Sequence, residues 1–189
     1  MKNDYESRIK NINIQIEVLK EKIKKNHFSD DEKRSFFIEK TKLEEKREML
    51  IDKNLISSSL PVIKNNKISL YLKYNDSYHG EYYLIIDNYT EEIVGNISYL
   101  GEENLFYGGN IGYHIKEEHR GNKFSLLALN LLTDKLYQEG IQVILIATKK
   151  DNIPSNIIAQ RFGGIPTSYE DDDSINVYVC DLSQIKNIF

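Results

Sequence analysis

HIKEEHRGNKFSLLALNLL, residues 114–132, joins a short β-branched and aromatic run to a long leucine-rich one through the turn Arg120-Gly121-Asn122. The run before the turn, GNIGYHI (109–115), has the alternation of a strand. The run after it, FSLLALNLLTDKLYQEG (124–140), is apolar over most of a helical circumference and stops at Gly140, a residue that ends helices well. QVILIA (142–147) follows as an unbroken apolar run, the pattern of a strand buried on both faces. Strand, helix and buried strand within about forty residues predict a right-handed βαβ unit with parallel strands. In such a unit the turn into the helix aims several backbone N–H groups at one point, at the positive end of the helix dipole. That point attracts phosphate. Gly121 permits close approach, Arg120 and Lys123 add positive charge, and Asn122 tolerates turn conformations. The chain contains neither G-x-x-x-x-G-K-[ST] nor G-x-G-x-x-G, so a P-loop and a dinucleotide fingerprint are both excluded.

Upstream of this unit the period is two from residue 67. Ile68, Leu70 and Leu72 alternate with Ser69, Tyr71 and Lys73, and YYLIID (82–87) and IVGNISYL (93–100) follow after turn-rich gaps, predicting antiparallel strands. Downstream, a helix over about 153–162 and a last strand, INVYVC (175–180), complete the pattern. Before residue 56 the chain reads differently. Tyr5, Ile9, Ile12, Ile16, Leu19 and Ile23 recur in steps of three and four, which makes one apolar seam on a helix. Ser29 followed by Glu32 is a capping box, and Phe36, Leu43 and Leu50 then recur at sevens. A helical hairpin over about 3–25 and 30–54 is expected, with its seam closed by its own halves, by the following domain or by a second copy. A homodimer through the hairpin is among the assemblies this allows. ISSSLPVIKNN (56–66) marks the break, dividing the chain into residues 1–56, a coiled-coil-like extension, and 67–189.

Composition narrows the function. With 189 residues, 40% of them hydrophobic, the chain can bury one sizeable core. Its formal charge of -4 gives no footprint for nucleic acid. The charge is uneven: 14 of the 25 basic and 12 of the 29 acidic residues lie in the first 56, leaving 11 against 17 beyond. An acidic second part favours cationic partners such as amines. Cys180 stands alone, and His27, His79, His114 and His119 lack metal-ligand spacing, so neither a disulfide framework nor a metal site is expected. No apolar run approaches a membrane span and no signal-like h-region opens the chain, which fits a cytoplasmic protein without a membrane partner.

Over residues 67–182 the chain resembles the GNAT (acyl-CoA N-acyltransferase) superfamily. The family's R-x-x-G-x-G/A turn is matched by Arg120, Gly121, Asn122, Lys123, Phe124 and Ser125, with Lys123 in place of the central glycine and Ser125 in place of the last small residue. A second motif, N-x-x-S followed by a terminal glycine, appears as Asn152, Ser155 and RFGG (161–164), and is similar to the branch that acetylates ribosomal-protein N-termini. The resemblance implies an α/β (α+β) fold: a mixed, mostly antiparallel twisted sheet with a central parallel strand pair and flanking helices, here preceded by the hairpin. It implies acetyl-CoA as co-substrate, with its pyrophosphate on the turn, Asn152 on the pantetheine arm, and the backbone of Tyr113, His114 and Ile115 pairing with that arm like an added strand. The activity implied is N-acetyl transfer to a primary amine, on a small molecule or a protein, by direct attack in a ternary complex. Relatives often carry a glutamate where this chain has Asn110, so the base is sought in His114, Glu102, Glu103 or water, and the acid in Ser155. The alternative is an acyl-CoA-binding regulatory module without turnover; a third reading makes the hairpin an adaptor. The segments expected to flank the acceptor are YNDSYHGEY (74–82) and SYEDDDSIN (168–176).

Overall fold

The computed structural model describes residues 2–76, 80–102, 108–167 and 173–185, which fall into two compact units, Met1–Leu60 and Pro61–Phe189.

The first unit is a helical hairpin of α1 (Lys2–Lys24) and α2 (Asp30–Ser58). α2 starts where the sequence says it should. Ser29 Oγ accepts the Glu32 N–H at 3.3 Å, and Glu32 Oε2 accepts the Ser29 N–H at 2.8 Å, so two otherwise unpaired donors are satisfied reciprocally. Ile12, Ile16 and Leu50 form the buried centre between the helices, with Tyr5, Ile9 and Leu43 packed around it. α2 runs four residues beyond the expected end because Ser57 and Ser58 bond back to the Asn54 carbonyl at 2.9 and 2.7 Å, which accommodates both hydroxyls within the helix.

The second unit is built on β1 (Ile63–Lys64), β2 (Ile68–Asp76), β3 (Gly80–Asp87), β4 (Ile93–Tyr99), β5 (Ile111–Ile115), β6 (Val143–Lys149), β7 (Ile165–Thr167) and β8 (Ile175–Asp181). Among the described residues these form one sheet in the order β1-β2-β3-β4-β5-β6-β8-β7. Every pairing is antiparallel except the central β5–β6 pair. α3 (Phe124–Gln138) makes the crossover between the parallel strands, and α4 (Ile153–Arg161) connects β6 to β7. Their apolar sides close over one face of the sheet, burying Leu129, Leu132 and Leu136 of α3 and Ala159 of α4 with Leu70, Ile85, Ile97 and Ile146. β1 and β7 escaped the sequence reading: two and three residues are too few to display a period. β5 starts at Ile111 and not at Gly109, because Gly109 and Asn110 turn toward β6.

Candidate functional site

The two halves of the ladder around β5 decide what that strand can bind. Leu100 N–H donates to the Asn110 carbonyl and Lys116 N–H to the Val94 carbonyl, both at 2.9 Å, and β4 and β5 keep one register between them. In an antiparallel ladder the backbone groups of alternate residues point to the same neighbour, so those of Gly112 and His114 are directed at β4 and those of Tyr113 and Ile115 away from it. What lies on that other side is a gap. β5 and β6 share one registered pair, Ile111↔Ile146, and beyond it the strands separate. The same parity argument on β6, bracketed by the bonds from Lys150 N–H to Ser174 and from Leu182 N–H to Gln142, directs the backbone of Ala147 and Lys149 into the gap from the far side. Lys149's carbonyl is already taken, by Asn152 N–H at 3.0 Å and Asn156 Nδ2 at 2.8 Å. The open groups are therefore those of Tyr113, the Ile115 N–H, the Ala147 carbonyl and the Lys149 N–H. The expectation that His114 offers its backbone to a ligand is corrected: its amide and carbonyl face β4.

Side chains alternate as well. Tyr113 and Ile115 pack on the core face, while Gly112 and His114 are exposed on the opposite one. The Tyr113 hydroxyl donates to the Ser155 carbonyl across a long 3.5 Å, and burial holds its pKa above the ordinary phenolic range. The structure thus brings Tyr113 and Ser155 together and leaves His114 and Ser155 on different faces, so those two cannot act as an adjacent acid and base pair. Asn152 is the N-cap of α4; its Oδ1 accepts the Ser155 N–H at 3.3 Å. Asn156, absent from the sequence reading, carries more of the local order: it is 8% exposed and its amide bonds Lys149, Asn152, Asn176 and Tyr178. Gly163 and Gly164 end α4 with bonds to the carbonyls of Gln160 and Ala159. Glu102 is exposed; Glu103 lies outside the described residues, as do Ser77, Tyr78 and His79 of the first acceptor-flanking segment and Glu170, Asp171 and Asp172 of the second.

The turn before α3 is where backbone donors collect. After the short 3-10 turn Glu117–His119, Gly121 and Lys123 both adopt left-handed conformations, with φ of 82° and 64°. The first bond of α3 runs from Leu127 N–H to the Lys123 carbonyl. The amides of Gly121, Asn122, Lys123, Phe124, Ser125 and Leu126 therefore have no hydrogen-bond partner among the described residues. Six donors at a helix N-terminus form an anion site in electrostatic terms. A Cβ at Gly121 would meet nothing, so the turn is open on that side. Phe124 is 9% exposed and contributes only its amide, since its ring is buried in the core. Arg120 holds an unexpected position: its Nε donates to the Ile115 carbonyl at 3.3 Å, tying the turn to the end of β5 and occupying one acceptor at the gap. Asn122 Nδ2 closes the turn on the His119 carbonyl at 3.2 Å.

Glu81, Tyr83 and Lys135 are committed to holding the sheet to α3. Glu81 accepts from the Tyr83 hydroxyl at 2.7 Å and from Lys135 Nζ at 3.0 Å, joining β3 to α3. The Cys180 thiol is buried and its pKa is pushed up to about 12, which removes it as a nucleophile. No helix among the described residues is long and apolar enough to cross a membrane.

Residues 20–165 match a family model described as an acetyltransferase (GNAT) domain. No curated protein matches the chain. Among solved structures, an acetyltransferase from Agrobacterium tumefaciens is 23% identical over 53% of this chain and 60% of its own, with a TM-score of 0.46. A ribosomal-protein-S5-alanine acetyltransferase from Vibrio fischeri is 16% identical over 57% and 64%, also at 0.46. A spermidine/spermine N-acetyltransferase from Vibrio cholerae is 12% identical over 76% of each chain, again at 0.46. The chain covers less than two thirds of the first two.

Proposed function

The chain belongs to the GNAT acetyltransferase family, and from that membership we propose that it transfers an acetyl group from acetyl-CoA to a primary amine, on a small molecule or a protein, by direct attack in a ternary complex. The observation that carries this reading is the pairing of two features: six unpartnered amides at the α3 turn, and a gap between β5 and β6 lined by open backbone groups a few residues away. The first suits a pyrophosphate and the second an extended amide-bearing arm, which can add to exposed strand backbone as a further strand would. The residues present therefore fit acyl-CoA. Gly121 to Leu126 would hold the pyrophosphate, Tyr113, Ile115, Ala147 and Lys149 the arm, and Asn152 would reach the arm through its Nδ2.

Acetyl-CoA supplies the acyl group as an activated thioester. The N–H of Tyr113, held rigid in the sheet and aimed into the gap, would stabilise negative charge developing on the acyl oxygen. The amine would arrive on the face bearing Gly112 and His114, because Tyr113 and Ile115 fill the other. His114, exposed on that face, would take the proton released by an amine that is mostly ammonium at neutral pH. The proton for the departing thiolate would come from Ser155 or from the Tyr113 hydroxyl, which bonds the Ser155 carbonyl. Asn110 gives the non-catalytic reading its support: it is bound to β6 and leaves no carboxylate where relatives carry one.

Calorimetry with CoA and a thiol-release assay over a panel of amines test the proposal. Arg120→Ala combined with Gly121→Val should weaken CoA binding by at least tenfold, through loss of charge and of the left-handed turn. Unchanged affinity removes the turn from the site. Tight CoA binding with no turnover on any amine selects the regulatory module. His114→Phe should lower kcat by roughly tenfold or more while leaving the acetyl-CoA KM unchanged; an unaltered kcat assigns the base to water or to a carboxylate.

A further inference from the structure

The far wall of the gap, made by the end of β6 and the start of α4, is fastened by one buried amide. Asn156 is 8% exposed and every hydrogen-bonding position of its side chain is filled. Its Nδ2 donates to the Lys149 and Asn152 carbonyls, both at 2.8 Å. Its Oδ1 accepts from Asn176 Nδ2 at 2.7 Å and from the Tyr178 hydroxyl at 2.8 Å. Carbonyls only accept, so the amide has a single orientation here: Nδ2 toward the β6–α4 turn, Oδ1 toward β8. Lys149 lies beyond Ile146, the residue of β6 in register with β5, on the stretch where the two strands have parted. Were the parallel ladder continued, the Lys149 carbonyl would fall to the Ile115 N–H. Two donors take it from the α4 side instead, Asn152 N–H at 3.0 Å and Asn156 Nδ2.

We propose that Asn156 is a positioning residue for the arm of acyl-CoA, because it ties the end of β6 and the first turn of α4 to β8 and so holds the far wall of the gap in place. The consequence for ligand binding rests on the reading of that gap as the acyl-CoA site. Asn156 touches no reacting atom; it acts through the backbone of Lys149 and Asn152. A neutral amide suits the place, since it donates twice on one side and accepts twice on the other without leaving a charge in the core. If the Nδ2 donors are removed, the Lys149 and Asn152 carbonyls each lose a partner, and the turn between β6 and α4 must be ordered at the expense of binding.

Three variants of the full-length chain separate the two sides of the amide. The carboxylate of Asn156→Asp keeps acceptors for Asn176 and Tyr178 and cannot donate to Lys149 or Asn152, while Asn156→Ala removes both sides. Tyr178→Phe takes one bond from the Oδ1 side and leaves the Nδ2 side whole. The first measurement needs no ligand. Hydrogen exchange at the Asn152 amide, which bonds the Lys149 carbonyl, should quicken roughly tenfold in both Asn156 variants and stay near the wild-type rate in Tyr178→Phe. The second is calorimetry with CoA and with phosphoadenosine diphosphate, the nucleotide part of CoA without the arm. Both Asn156 variants should bind CoA roughly tenfold more weakly and the arm-less nucleotide as the wild type does. Tyr178→Phe should stay within about twofold of the wild type on both, even where its Tm is lower. Unaltered exchange at Asn152 in both Asn156 variants overturns the positioning role. So does a CoA affinity that stays level in them, a loss that falls equally on the two ligands, or a loss that Tyr178→Phe reproduces. A wild-type chain that binds no CoA overturns the acyl-CoA reading alone, because exchange at Asn152 still decides whether Asn156 holds the wall.

Discussion

Lys123 holds φ 64°, a conformation that costs a residue with a Cβ on the order of 1 kcal/mol. Lys123→Gly removes that cost and returns roughly 0.5–1 kcal/mol of it as chain entropy in the unfolded state, so Tm should move by no more than about 3 °C. Lys123→Val, β-branched in a left-handed turn, should melt lower than either. The six amides survive both changes, and an exposed charge contributes little, so Lys123→Gly should weaken CoA only a fewfold. A larger loss would mean that the ammonium, and not the backbone, holds the phosphate. Cys180 gives a second test at this scale. Burial raises its thiol from 9.0 to about 12, so folding favours the neutral form. Stability from this group is complete below pH 9 and is lost as pH rises toward 12. At pH 8, iodoacetamide should leave the native chain unmodified while alkylating it rapidly in denaturant; rapid native labelling would show that the β8 region opens.

Helix starts, strand faces and the strand-to-helix turn before α3 could be read from residue types because each depends on neighbours within a few positions. The Ser29–Glu32 box is the plainest case. Ser29→Ala should lower Tm by about 2–4 °C. Glu32's carboxyl is held below the usual carboxylate range by its bonds to Ser29, so the box's contribution is present at neutral pH and fades as pH falls through that range. The difference in Tm between wild type and Ser29→Ala should therefore shrink in acid. What a linear pattern cannot carry is which partner takes each backbone group. Period two placed Tyr113 and His114 on opposite faces, but only the β4 register shows that His114's amide is spent on β4. Likewise Asn110 read as a missing base, since nothing near it in sequence announces Leu145, thirty-five positions on. Arg120's bond to Ile115 was hidden for a different reason: the motif names a cation for the ligand, and the guanidinium's Nε serves the protein as well. Gly109→Ala gives an element-scale prediction, because the added methyl would meet backbone at 2.6 Å and drive β5 from β6. A fall in Tm of more than about 5 °C is expected, and a neutral result would show that the strands yield there.

At the scale of the whole chain, charge is divided unevenly, with the acidic excess beyond residue 56. SYEDDDSIN concentrates it, and the proposed amine would be drawn toward it. Replacing Asp171, Asp172 and Asp173 with Asn should raise KM for a cationic acceptor severalfold at low salt, leave the acetyl-CoA KM unchanged and flatten the salt dependence of kcat/KM. An acceptor KM indifferent to the change would reduce the run to a solvated segment. The eight-stranded order has one more consequence. It ends at β1 on one side and β7 on the other, two residues and three, and the second contains Pro166, which has no N–H to offer. Strands this short offer few backbone groups of their own for another chain to extend. The proposed arm would instead be taken up in the middle of the sheet, between β5 and β6. The proposed guest would therefore join this sheet at its centre and not at its rims.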